Sequence, residues 1–241
     1  MGNLRRLKTA RYCNRFVAYR RRRSGRHEIE LNLENLAGLG LPAHYSRTEI
    51  AGYFGLTRIP ELNPGLKNLL VSDKINIILH PKSRMHGREW PARHYLELAR
   101  LLPKDRFRIF ITGIDSEGEV LRKEIPELFE STDVIDLCGK TTLEQSIAFI
   151  AYSDGLIASG TGPLHIAAAM GKHALGIFPP RDEIDPAHWG PIGIKGQFIC
   201  LKERCKPGGS RCPDGNIVGS CACTEAITPE QVFERVIMWE R

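Results

Sequence analysis

Short apolar runs alternate with amphipathic stretches between residues 75 and 178, and this alternation constrains the fold more than any other feature of the sequence. The runs are too short for stable helices, and most are rich in Ile, Val or Leu, which favours buried strands. Such runs are typical of parallel strands joined by crossover helices, so the sequence predicts an α/β fold with a doubly wound parallel sheet. The predicted strands are Ile75 to Leu79, Arg108 to Ile111, Val134 to Leu137, Gly155 to Ala158 and Ala174 to Phe178.

Helix start and stop signals lie between the predicted strands. Pro91 suits the first turn of one helix, and Gly162-Pro163 opens another. A final amphipathic helix begins after the capping residue Thr228. The predicted helices cover about 91–102, 116–129, 142–152, 162–170 and the segment from 229.

Residues 1–70 lack strand-like runs, and the domain prediction follows from that contrast. Two short helices are predicted there, one around Ile29 to Leu36 and one over Arg47 to Phe54, followed by a turn at Asn63-Pro64-Gly65. We therefore divide the chain into a basic, partly helical remnant or linker of an N-terminal domain (1–70) and a Rossmann-like domain (71–241).

The net charge of +6 is concentrated at the start of the chain. Residues 1–26 carry ten Lys or Arg and no Asp or Glu, which leaves 24 basic against 28 acidic residues in the rest. A charge run is more often a solvated face than a nucleic-acid site, so no nucleic-acid partner is predicted. Aromatic residues interleave with these arginines, which fits a helix docked on its own domain or on an anionic membrane face. No secretory signal is recognisable, so we expect a cytoplasmic protein, with peripheral contact at the inner face of the inner membrane as an option.

Five of the seven cysteines fall near the C-terminus, in and beside a glycine-rich loop. Their spacing differs from the paired knuckles of zinc ribbons, although four or five thiolates could gather a metal. The alternative is a loop of free or partly paired thiols, and we predict no metal and no cofactor. The five are Cys200, Cys205, Cys212, Cys221 and Cys223.

Two loops at the carboxyl ends of predicted strands are candidate anion sites, because helix N-termini there favour negative charge. In 159–171, two glycines allow close backbone approach and Thr161 adds a hydroxyl, which suits a pyrophosphate. In 80–91, Arg88 could fork onto phosphate oxygens beside Trp90. The alternatives are an ordinary capped packing helix and a solvated basic loop.

The ordered motifs over about residues 75–241 resemble glycosyltransferase family 9, the lipopolysaccharide heptosyltransferases. The resemblance rests on His80-Pro81 through Arg88-Glu89-Trp90-Pro91, Thr112-Gly113, Gly139-Lys140-Thr141-Thr142-Leu143 and Thr161-Gly162-Pro163-Leu164-His165-Ile166-Ala167-Ala168-Ala169. It implies the Rossmann-like, donor-binding half of a GT-B glycosyltransferase. It also implies a nucleotide-sugar donor, usually ADP-heptose, and inverting transfer without a metal to a lipopolysaccharide core or similar glycan or lipid-linked acceptor.

The resemblance also implies roles for individual residues. Arg88 takes the place of a family Lys or Arg near the diphosphate, with Ser83 in the loop before it. The phosphate side is implied to be lined by Thr161, Gly162 and His165, and the nucleoside side by Thr141 and Thr142. Gly160 stands where the family usually has an aspartate. The catalytic base stays unassigned.

Residues 1–70 resemble only the tail of the family's acceptor domain, which leaves two functional hypotheses. The first is a heptosyltransferase-type enzyme that acts when an N-terminal domain is supplied. The second is a non-catalytic or half-enzyme nucleotide-sugar-binding module. A dehydrogenase is disfavoured, because no G-x-G-x-x-G follows the first predicted strand.

Overall fold

The computed structural model describes residues 2–3, 12–14, 16–17, 25–84, 88–181, 184–201 and 219–241. The Arg20-Arg21-Arg22-Arg23 run and two of the clustered cysteines, Cys205 and Cys212, lie outside these residues, as does most of the basic segment. In the part described, no helix is long and apolar enough to cross a bilayer.

The core of the fold is a six-stranded sheet in which every neighbouring pair is parallel. In chain order the strands are β1 (Ile75–His80), β2 (Phe107–Ile111), β3 (Val134–Asp136), β4 (Gly155–Ser159), β5 (His173–Ile177) and β6 (Gly196–Ile199). The spatial order is β3-β2-β1-β4-β5-β6. The order reverses between β1 and β4, and this switch point is where open α/β sheets bind ligands. The predicted fold class is confirmed.

Helices cover both faces of the sheet. They are α1 (Glu28–Glu34), α2 (Arg47–Gly52), α3 (Pro64–Lys67), α4 (Ala92–Leu101), α5 (Asp115–Glu124), α6 (Pro126–Glu130), α7 (Leu143–Tyr152), α8 (Gly162–Ala169), α9 (Pro186–Trp189), α10 (Ala222–Glu225) and α11 (Pro229–Val236), with a 3₁₀ helix over Asn35–Leu39. A separate parallel pairing joins Gly2–Asn3 to Phe16–Val17.

Three of the differences from the sequence prediction have a local reason. The single helix predicted over 116–129 is two helices, because Pro126 lacks the N–H that would continue α5. The turn predicted at Asn63-Pro64-Gly65 is the start of α3, where the Asn63 side chain accepts from the Gly65 N–H at 2.7 Å. Strand β6 was not predicted, since Gln197 and Phe198 are exposed at the sheet edge and give no buried apolar run.

Two apolar layers hold the sheet between its helices. On one face, Trp90 and Tyr95 pack with residues of β1, β2 and α11. On the other face, Leu164, Ala167 and Ala168 of α8 are buried against the sheet. Small alanine side chains let α8 sit close to β4 and β5. This close packing fixes where the N-terminus of α8 points.

The first helices dock on the sheet domain through specific contacts. His27 Nε2 lies 2.8 Å from the carbonyl of Gly190, and His188 Nε2 lies 3.1 Å from a Glu28 carboxylate oxygen. Leu62 is buried in the second apolar layer. The division at residue 70 stays a prediction.

Candidate functional site

The candidate site lies at the carboxyl edge of β1 and β4. His80, the last residue of β1, is in register with Ala158 of β4, so the loops that follow these strands start side by side. The Trp90 N–H donates to Ser159 Oγ at 3.1 Å and ties the end of the β1 loop to the end of β4. The two predicted anion loops therefore share one rim of the sheet.

The N-terminus of α8 carries a buried hydroxyl, that of Thr161. Thr161 is the N-cap residue in extended backbone, yet its side chain makes no capping hydrogen bond. Its Oγ1 is buried and has no hydrogen-bond partner among the described residues. A Cβ built on Gly162 would meet nothing within 4 Å, so the space beside this helix start is open. An unpaired buried hydroxyl costs free energy, and an anionic ligand here would remove that cost.

Gly160 and His165 lie near the start of α8, and the first has a packing role whereas the second carries a group that could bind a ligand. A Cβ at Gly160 would lie 2.8 Å from Phe178 Cε1, so Gly160 is required by packing. Burial lowers the pKa of His165 below its ordinary value, and no hydrogen bond to its ring is found within the described part of the chain. A neutral imidazole can donate one hydrogen bond to a ligand oxygen without carrying charge.

The start of the β1 loop is held by two carboxylates. Both the N–H and the hydroxyl of Ser83 donate to Glu89 Oε1, at 2.8 and 3.0 Å. The Arg84 N–H donates to Glu117 Oε1 at 2.9 Å. Arg84 has φ 51°, the left-handed region that side chains rarely adopt. The hydroxyl of Ser83 is thus engaged as a donor to Glu89.

Arg88 is buried at the other end of this loop. It is 3% exposed, its Nη1 donates to the carbonyl of Ser220 at 3.1 Å, and its backbone pairs with Gly219. The adjacent Trp90 donates from Nε1 to the carbonyl of Ile227 at 2.8 Å. The C-terminal segment therefore orients Arg88, which sequence reasoning did not predict because the partners are more than 130 residues away.

Thr141 and Thr142 lie at the same edge, after β3. Strand β2 separates β3 from β1, so these residues are farther along the rim than the two anion loops. Thr141 Oγ1 lies 2.7 Å from Ser146 Oγ, and Thr142 caps α7 by accepting from the Gln145 N–H. Their predicted place near a nucleoside stays a prediction.

Two residues at the rim were missed as site residues. His80 Nδ1 lies 3.0 Å from Thr112 Oγ1 of the neighbouring strand end, and burial lowers the pKa of His80. The Glu117 carboxylate joins the loops after β1 and β2. The signal for Glu117 was its place three residues into a helix start, where a carboxylate accepts backbone N–H groups.

Three of the clustered cysteines, Cys200, Cys221 and Cys223, lie among the described residues. The described residues contain no group of three or more His, Cys, Asp or Glu that could hold a metal ion. Cys221 is buried, and its Sγ lies 3.6 Å from Thr224 Oγ1. The prediction for Cys205 and Cys212 falls outside the described residues.

A parallel sheet in this strand order, with a glycine-opened helix at its switch point, defines a Rossmann-like α/β domain. The chain belongs to glycosyltransferase family 9 (heptosyltransferase), whose family model matches residues 19–214. The resemblance stated from the motifs is confirmed.

Relatives in the family are similar over part of their length. A lipooligosaccharide heptosyltransferase 2 of Haemophilus influenzae is 28% identical over 120 residues, which are 48% of this chain and 34% of the relative. A lipooligosaccharide heptosyltransferase 2 of Campylobacter jejuni is 25% identical over 153 residues, 62% of this chain and 46% of the relative. The chain thus spans about a third to a half of the length of these relatives.

Solved structures show the same fold. A glycosyl transferase of family 9 from Veillonella parvula matches with a TM-score of 0.67 at 19% identity, covering 96% of this chain and 64% of that one. The ADP-heptose lipopolysaccharide heptosyltransferase II of Escherichia coli matches with a TM-score of 0.56 at 22% identity, covering 74% and 52%. An E. coli heptosyltransferase solved with ADP has a TM-score of 0.54 at 20% identity, covering 84% and 53%.

Proposed function

We propose that this chain binds the diphosphate of a nucleotide sugar at the rim between β1 and β4 and serves inverting sugar transfer. The donor in this proposal is ADP-heptose, and the acceptor is a lipopolysaccharide core or similar glycan met at a membrane surface. The observation that carries the proposal is the buried Thr161 hydroxyl, which has no hydrogen-bond partner in the part of the chain that the structure describes, beside the space that those residues leave open at Gly162. The family match and the relative solved with ADP support the choice of donor.

The rim supplies groups that stabilise a departing diphosphate. The first turn of α8 offers backbone N–H groups and the positive end of the helix dipole, and Thr161 adds a hydroxyl donor. Arg88, whose Nη1 donates to the Ser220 carbonyl, belongs to the loop after β1 on the same rim, and in this proposal its guanidinium binds the diphosphate. Stabilising the leaving group lowers the barrier to displacement at the anomeric carbon. The base that deprotonates the acceptor is not assigned to a residue.

The test is ADP binding by isothermal titration with a matched pair of variants. Thr161→Val removes only the unpaired hydroxyl, so it should leave stability unchanged or slightly raised while ADP binds about tenfold more weakly. Thr228→Val makes the same change at the N-cap of α11, where the hydroxyl is used. That control should lose about 1 kcal/mol of stability and keep its ADP affinity.

A second candidate is a donor-binding module without turnover of its own. The observation in favour of this second candidate is that the matches cover only 34% and 46% of the relatives' own length. ADP binding combined with absence of sugar transfer from ADP-heptose by the isolated chain would support it. Transfer by the isolated chain would refute it, and absence of ADP binding would refute both candidates.

A further inference from the structure

We propose that Glu117 is a positioning residue whose carboxylate clamps Arg84, in the loop after β1, to Ile114, in the loop after β2, and that this clamp supports donor binding at the rim. This inference rests on the proposed function, because Arg84 belongs to the same loop of the sequence as Arg88.

The geometry of the clamp uses both carboxylate oxygens. Oε1 accepts the Arg84 N–H at 2.9 Å from the β1 loop, and Oε2 accepts the Ile114 N–H at 2.9 Å from the β2 loop. Glu117 is 8% exposed, so water competes weakly for these bonds. One side chain therefore joins two loops that the chain separates by about thirty residues.

The clamp stabilises an unfavourable backbone. Arg84 is the non-glycine residue with a positive φ among those the structure describes, and such a conformation persists only where surrounding contacts enforce it. Gly113 makes room for the clamp, since a Cβ there would lie 3.2 Å from Glu117 Oε2. The Glu89 carboxylate holds the preceding residue, Ser83, through two further bonds.

Electrostatic repulsion and loop positioning predict opposite effects of Glu117 on ADP binding, so measuring ADP affinity distinguishes them. A carboxylate near a diphosphate repels it, so removing the charge of Glu117 should tighten ADP binding if electrostatics were its whole role. A clamp predicts that removing the Glu117 carboxylate weakens ADP binding, because part of the binding free energy must then be used to order the loop.

The first test is Glu117→Gln with Glu119→Gln as its control. A Gln side chain has one acceptor oxygen, so it cannot accept both N–H groups as the carboxylate does. Glu119 is exposed on the same helix and carries the same charge. In the ligand-free chain, hydrogen exchange at the Arg84 amide should accelerate about tenfold in Glu117→Gln and stay unchanged in Glu119→Gln.

Two further readouts separate positioning from general stability. ADP should bind Glu117→Gln about fivefold to tenfold more weakly when affinity is measured well below the melting temperature, which the lost bond should lower by roughly 2–4 °C. Gly113→Ala keeps the charge and crowds Oε2, so it should show the same two effects and serves if Glu117→Gln fails to fold. Unchanged exchange at Arg84, or ADP binding as tight as or tighter than wild type, would overturn the clamp. Failure of the wild-type chain to bind ADP would instead refute the proposed function. The clamp itself would still be tested by hydrogen exchange at Arg84 in the ligand-free chain.

Discussion

Two glycines two residues apart at the rim should respond to alanine in opposite ways. At Gly160 a Cβ would lie 2.8 Å from Phe178 Cε1, and Phe178 is 2% exposed, so its ring has little room to shift. Overpacking of this kind costs about 1–3 kcal/mol. At Gly162 the Cβ meets nothing, and alanine in a helix is favoured over glycine by up to ~1 kcal/mol.

The stability difference is measurable by thermal melting. For a chain of this size about 1 kcal/mol corresponds to roughly 2–4 °C. Gly160→Ala should therefore melt about 2–12 °C lower than wild type, whereas Gly162→Ala should melt at the same temperature or slightly higher.

ADP affinity should rank the two variants in the reverse order, with Gly162→Ala weakening binding more than Gly160→Ala. The Gly162 N–H can approach a phosphate oxygen only while no side chain intervenes, so Gly162→Ala should bind ADP about tenfold more weakly by isothermal titration. Wild-type affinity for ADP in Gly162→Ala would refute the reasoning, because the ligand would then not approach this helix start.

Three further predictions concern other parts of the molecule. Burial raises the pKa of the Cys138 thiol to about 12, so Ellman's reagent at pH 8 should label it only after unfolding; peptide mapping that finds fast labelling in the folded chain would contradict this. Burial lowers the pKa of His27, so the stability that the neutral ring contributes is present above about pH 6.5 and is lost as the pH falls below that value. The melting temperature of His27→Gln should therefore change less between pH 7.5 and pH 5.5 than that of wild type. An equal change in both proteins would count against this role of His27. A Cβ at Gly155 would lie 2.3 Å from Trp239 Cζ3, so Gly155→Ala should lose at least ~2 kcal/mol in urea unfolding, and wild-type stability would show that Trp239 can move.

The sequence predicted elements well where burial was strong. Strands β1 and β4 are almost entirely buried and mostly apolar, so they were recognisable without tertiary information. Strand β6 lies at the edge and half of it is exposed, so its residues follow no buried pattern. Pro126 is a helix-breaking signal in the sequence, but the residues on both sides of it have helical periodicity, which favoured one continuous helix.

The loops of the candidate site could be predicted, whereas the contacts that shape them could not. Strand ends and helix starts place Thr161 and Arg88 at one sheet edge by topology alone. The bond from Arg88 to Ser220 and the clamp at Glu117 join segments distant in the chain, and no local pattern encodes them. The orientation of the groups at the rim is therefore a tertiary property.

An NMR titration of the ¹⁵N-labelled chain with ADP tests the central claim most directly. The account predicts saturable shifts of the Thr161 and Gly162 amide resonances, together with the Arg88 side-chain resonance on the other loop of the rim. Saturable shifts confined to residues away from the ends of β1 and β4, or no shifts at millimolar ADP, would contradict it.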